Sequence, residues 1–253
     1  MATRLLFWKK EEEEAASDEA HAQPGILSDF ILGSQDGLVN VLGVILGVAV
    51  GAQALSTDPI RIILAGGFAA TFAESISMGA VAYTSTVARR DHYIAEVERE
   101  RQEMVELPDR ERDEVREILA RWDFHGQELE DMLERIVAKP KAWLELMMAH
   151  ELNLAPVDKG AARKSALLVG TAAIVGSLVP LLPFLFAGND TIFSAILASL
   201  TVSAATLFVI GWYKARSTVG HPSKSGLQMA LIGIASALAG FGIAFLVSGG
   251  AGA

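Results

Sequence analysis

The sequence predicts an all-α, polytopic membrane protein with five transmembrane helices and a charged helical domain inserted between the second and third. Three observations lead there. Of the 253 residues, 51% are hydrophobic and 20% charged, yet the two classes separate along the chain: residues 26–88 and 165–250 are almost purely apolar, and residues 89–164 are dense in Glu, Asp, Arg and Lys. A single soluble core would intermix them. Five apolar stretches reach the roughly 20 residues that a bilayer requires of a spanning helix. Nowhere does the apolar pattern alternate with the period of a strand, and no internal repeat recurs at a fixed spacing.

In chain order, residues 1–25 read as a solvated tail. Lys9-Lys10 runs into Glu11 to Glu14, and no small-residue cleavage site follows a short apolar core, so this is not a secretory signal. The spans are expected at about Ile26–Ala52, Ile60–Val87, Ser165–Ala187, Thr191–Tyr213 and Gly226–Ser248. Arg89 and Arg90 follow span two, Arg163 and Lys164 precede span three, and Lys214, Arg216 and Lys224 lie between spans four and five. These clusters fall on one side, which the Lys/Arg bias makes the cytoplasm. The N-terminus and the 89–164 insert are therefore expected inside, and the C-terminus outside. The domain boundaries are 1–25 (tail), 26–88 (spans one and two), 89–164 (insert) and 165–253 (spans three to five).

Span two is expected to continue without a breaker to Glu106, ahead of Pro108. A second insert helix starts at Asp109 as N-cap and runs to about Trp122. A third covers about Gln127–Ala138, and Pro140 opens a fourth that runs to about Leu154. In span one, Gly43, Gly47 and Gly51 recur every four residues on one face, a pattern that permits close approach of a neighbouring helix in this chain or in a partner.

The net charge of −9 excludes a basic nucleic-acid face and suits cations. With no cysteine in the chain, any soft metal ligand is Met or His. Within the spans, two carboxylates stand out. Glu74 lies midway through span two, where an ionisable group costs on the order of 2.5–3.5 kcal/mol. Such a residue usually faces a cavity, a partner or an ion. Asp36 is either a second such group or an interfacial cap, since Gly33-Ser34-Gln35 before it is polar. Met78, four residues after Glu74, shares its face, and a carboxylate with a thioether suits a borderline divalent metal. Asn40, one turn beyond Asp36, can add a neutral oxygen to the same path.

In the insert, Glu100 and Glu103 are three apart, as are Glu111 and Glu114, and Pro108 between them allows a hairpin with opposed acidic faces. Met147, Met148 and Glu151 fall on adjacent turns of the fourth helix at α-helical spacing. Together these residues make a site for more than one divalent cation. The other reading is a solvated face stitched by ion pairs, because Arg99, Arg101, Arg110, Arg112 and Arg116 interleave with the acids. His92, His125 and His150 show no ligand spacing. The insert has no Glu-x-x-His pair of the di-iron carboxylate type, so no enzyme is expected.

Gln35-Asp36-Gly37-Leu38, Ile76-Ser77-Met78-Gly79, Asp91-His92-Tyr93, Arg101-Gln102-Glu103, Pro108, the run Trp143 to Met148 with Glu151-Leu152, and Pro180-Leu181-Leu182-Pro183 occur in one collinear order. Together they resemble the vacuolar iron transporter family, in a prokaryotic-type member. The resemblance implies a homodimeric five-helix transporter in the cell (inner) membrane whose insert is a cytoplasmic helical metal-binding domain. It also implies export of ferrous iron, and often manganese, from the cytosol in exchange for protons. It implies metal binding by Glu100, Glu103, Glu111, Glu114, Met147, Met148 and Glu151, and a transport path through Asp36 and Met78. No organic cofactor is expected. Carboxylate–thioether sites discriminate poorly among Fe2+, Mn2+, Co2+ and Zn2+. One position departs: plant members carry a pathway Glu eight residues before the Met, where this chain has Ala70. Glu74, one turn later, is expected to take that role. A membrane-anchored metal buffer or sensor is the competing reading.

Overall fold

A computed structural model describes residues 24–55 and 57–247. The expected solvated tail lies outside the described residues up to Gln23, as do the last six residues, and helix α1 already begins at Pro24. Eight α-helices follow in order among the described residues: α1 Pro24–Leu55, α2 Pro59–Glu106, α3 Pro108–Arg121, α4 Gly126–Val137, α5 Pro140–Leu146, α6 Ala161–Leu185, α7 Ile192–Ser217 and α8 Pro222–Val247. A π turn, Met147–Glu151, extends α5, and a 3-10 turn, Asn189–Thr191, precedes α7. No strand occurs among the described residues. The chain divides into two units, residues 1–80 with 165–253, and residues 81–164.

Five helices are long and apolar enough to cross a membrane: Gly25–Ala52, Pro59–Glu106, Ala161–Leu185, Asn189–Ser217 and Pro222–Leu246. They match the five expected stretches, and α2 runs on to Glu106 without a break. Large apolar side chains such as Phe72, Ile76, Phe193 and Leu246 stay exposed, as helices bathed in lipid allow.

In the first unit α1 is the hub. Val41, Leu42, Ile45, Leu46 and Ala49 pack with Ile63 of α2, Leu181 and Phe184 of α6, Ile192 and Ala195 of α7, and Ala237 of α8. Small residues bring the backbones together, as membrane packing favours. Gly43 and Gly47 face Ala237 and Ala244 of α8, so the glycine row of span one serves a neighbour in this same chain, whereas Gly51 has nothing within 4 Å. At Gly176 of α6 an added Cβ would collide with the Ser34 carbonyl of α1. Backbone cannot yield as a flexible side chain can, so Gly176→Ala is expected to cost about 1–3 kcal/mol. That cost would appear as a lower melting temperature in detergent, and an unchanged one would show that α1 and α6 separate freely. Pro180 and Pro183 sit inside α6, where each removes an amide donor. The buried Ser199 hydroxyl donates to the Pro180 carbonyl at 2.8 Å.

In the second unit, the end of α2 and the helices α3, α4 and α5 enclose Val115, Ile118, Leu119, Leu129, Leu133, Trp143 and Met147, with Met104 packed against them. Two boundaries differ from expectation. The N-cap of α3 is Leu107 and makes no side-chain cap; Pro108 takes the first helical position and Asp109 the second, within the first turn. Proline's fixed φ and missing N–H suit that first position, and the acids that follow suit the helix N-terminus. The last helix stops at Glu151, short of Leu154, because its final turn widens to π geometry and Asn153 adopts a left-handed φ of 53°.

Candidate metal centre

The α2–α3 hairpin brings Glu100, near the end of α2, against Glu111, in the first turn of α3, and the π turn adds Glu151. One carboxylate oxygen from each lies within 4.8 Å of the others. Glu100 and Glu111 are each 1% exposed, and Glu151 is partly buried. Glu100 Oε1, both oxygens of Glu111 and Glu151 Oε2 are buried without a hydrogen-bond donor. Unsatisfied buried oxygens are costly, and three that converge form an acceptor set suited to positive charge.

The arginines sort the acids. Arg110 pairs with Glu114 at 3.1 Å and Arg99 with Glu96 at 2.6 Å, while Arg99 reaches Glu103 at 3.8 Å. Arg101 lies 3.6 Å from Glu98. Arg112 pairs with Glu134, and Arg116 with Asp113 and Glu130. The interleaved cations of the sequence thus stitch a solvated surface, as one of the two readings held. Among the described residues they leave Glu100, Glu111 and Glu151 without an ion-pair partner. Glu103 and Glu114 stand beside the trio, close enough for their charge to act on it, while carrying arginine partners.

Burial, then the adjacent carboxyl of Glu100 and its charge, then the charges of Glu114 and Glu103, push the Glu111 carboxyl up to about 8. Burial and the charges of Glu114, Glu111 and Glu103 push Glu151 up to about 7, with Arg110 opposing. Glu100 is also raised, chiefly by burial, although the nearness of the Glu111 carboxyl acts the other way. A divalent cation would replace protons in this cluster and relieve the repulsion.

Met147 and Met148 open the π turn and are both buried, Met147 within the apolar cluster of the unit. The turn is closed by Leu152 N donating to Met147 O at 3.1 Å, an i to i+5 bond. The expected α-helical neighbourhood of Met147, Met148 and Glu151 is therefore replaced by a wider spacing. No sequence signal marks that change.

In the span unit, the Asn40 amide donates to Glu74 Oε1 at 3.0 Å. The Asp36 carboxyl lies close enough for its charge to act on Glu74. Two carboxyls this close call for a proton or a cation between them. Glu74, Asn40, Ala70 and Ser77 line one cavity of about 290 Å³. Ala70 and Glu74 thus open onto the same space. Met78 is partly buried one turn along α2 and lies outside that lining.

A sequence profile described as the VIT family matches residues 27–245. Vacuolar iron transporter 1 of Eucalyptus grandis is 37% identical over 227 residues, covering 89% of this chain and 88% of that protein. Vacuolar iron transporter 1 of Oryza sativa subsp. japonica is 34% identical over 239 residues, covering 92% of each. The vacuolar iron transporter of Plasmodium falciparum (isolate 3D7) is 29% identical over 222 residues, covering 85% of this chain and 80% of its own length.

Proposed function

The chain belongs to the VIT family, and on that premise we propose that it is a divalent metal transporter that exports ferrous iron, and manganese, from the cytosol in exchange for protons. The observation that carries the reading is the Asn40–Glu74 hydrogen bond inside the spans, with the charge of Asp36 close enough to act on Glu74. An anchor has no use for two carboxylates held together at membrane depth, where each is costly.

In this mechanism the 89–164 domain faces the cytoplasm and gathers metal at Glu100, Glu111 and Glu151, with Glu103 and Glu114 supplying negative field at its rim. Met147 and Met148 offer thioethers that favour borderline metals over Mg2+ or Ca2+. Metal then enters the spans, where Asp36 and Glu74 supply charge, Asn40 orients Glu74, and Met78 adds a soft ligand. Protons arriving from the opposite face replace the metal on the carboxylates and release it outward. Glu74 acts in place of the acid missing at Ala70, which the shared cavity supports. Two copies work together across a small-residue groove of about 470 Å³ that includes Asn40, Gly43, Gly47 and Gly240. The N-terminus lies in the cytoplasm, the C-terminus outside, and the protein in the cell (inner) membrane.

The test is flux in proteoliposomes under an imposed pH gradient, with Fe2+ as tracer and Mn2+, Co2+ and Zn2+ as competitors. Accumulation is expected to follow the gradient and to be reduced by Mn2+. Flux indifferent to the gradient would remove proton exchange. Metal binding with no flux would leave the membrane-anchored buffer as the better reading.

A further inference from the structure

The span unit holds a second feature that metal transport does not use. A groove of about 760 Å³ runs between α1, α6 and α7, lined by Ile26, Leu27 and Phe30, by Leu168, and by Val209 and Trp212 among others. Its lining is apolar up to Ser217, the last residue of α7. There the chemistry changes. Trp212 and Tyr213 are exposed at 36% and 53%, the amphipathic aromatics that mark headgroup depth in a bilayer. Lys214 and Arg216 occupy the same final turn. The Arg216 guanidinium lies 5.2 Å from the centre of the Trp212 ring, a cation–π contact that holds the charge at the lip of the groove. Neither cation has a carboxylate partner among the described residues.

We propose that this groove is a binding site for an anionic phospholipid, its acyl chain lying along α1 and α7 and its phosphodiester held by Lys214 and Arg216. An apolar trough among lipid-facing helices takes hydrocarbon, and two unpaired cations at its headgroup end select negative charge. Basic clusters at the ends of transmembrane helices recognise acidic headgroups in this way. A zwitterionic lipid would fill the trough equally well but brings a cation of its own to the lip. The site is independent of the metal cargo. One other occupant has matching chemistry: Leu5-Leu6-Phe7-Trp8, followed closely by Glu11 to Glu14.

The experiment uses the full chain purified in detergent with equal amounts of phosphatidylglycerol and phosphatidylcholine, and counts retained lipid by native mass spectrometry. Wild type is expected to prefer phosphatidylglycerol by roughly fivefold per basic residue. K214A/R216A should bring the ratio close to one, R216K should keep most of the preference, and excess inorganic phosphate should not displace the lipid. Equal retention of the two lipids by wild type would overturn the proposal. So would an undiminished preference in K214A/R216A, or displacement by phosphate alone. A preference that emerges only when residues 1–23 are deleted would assign the groove to that segment instead.

Discussion

Glu74→Gln is expected to reduce metal flux into proteoliposomes by about two orders of magnitude while leaving the protein folded. The amide keeps the size of the side chain and an oxygen for Asn40 Nδ2, which now sits 3.0 Å from Glu74 Oε1. Removing a charge from mid-span relieves a cost rather than adding one, so the melting temperature in detergent should hold or rise. On the proposed mechanism, the variant loses the charge that faces the metal and the group that takes the exchanged proton. A charged contact of about 3 kcal/mol in a poorly solvated site corresponds to roughly a hundredfold in affinity. The companion variant A70E/E74A moves the carboxylate back by one turn, about 5.4 Å along the helix axis, into the same cavity. It should recover a measurable part of the flux. Full transport by Glu74→Gln would remove Glu74 from the mechanism. No recovery in A70E/E74A would show that the two positions are not equivalent.

The second large effect is expected at Glu111, and it has opposite signs with and without metal. Its carboxyl is pushed up to about 8, well above the ordinary value near 4.5 that it regains on unfolding. Between those limits the native protein holds a proton that the unfolded chain has released. Stability of the metal-free protein therefore falls as pH rises through this window, and Glu151, at about 7, adds to the same slope. Glu111→Gln removes Glu111's share: without metal, the variant should melt above wild type at pH 8 and differ little at pH 5. With Mn2+ at a hundredfold excess over its Kd, wild type should gain about 2.7 kcal/mol, and Glu111→Gln should lose most of that gain. Calorimetry across pH 5–8 reads both. A metal-dependent shift of wild-type size in the variant would take the site away from Glu111.

These two candidate sites were legible in the sequence to different degrees. Glu74 was conspicuous because a carboxylate among Phe72, Ala73 and Ile76 has no ordinary reason to be there, and span length gave the five-helix frame on hydropathy alone. The acidic insert was ambiguous. Helical spacing places Glu100 with Glu103 and Glu111 with Glu114, but the trio that converges takes one acid from each of three segments. Spacing within a helix carries no information about which acids meet across a hairpin, nor about which arginines are already engaged. Pairings such as Arg99 with Glu103, Arg110 with Glu114 and Arg116 with Glu130 separate the stitched acids from the unpaired ones. The groove at Trp212 was invisible for the same reason, since its walls come from three helices far apart in the chain.

The π turn at Met147–Glu151 behaves like a single-residue insertion in an otherwise α-helical ladder. One residue is worth about 100° of rotation around a helix. An α-helical turn over the same residues would swing Glu151 roughly a quarter-turn away from Glu100 and Glu111. The third carboxylate of the cluster is thus held by a frameshift in helical phase. Homologues that lack the extra residue should reach the same trio only by moving the acid one place along the chain.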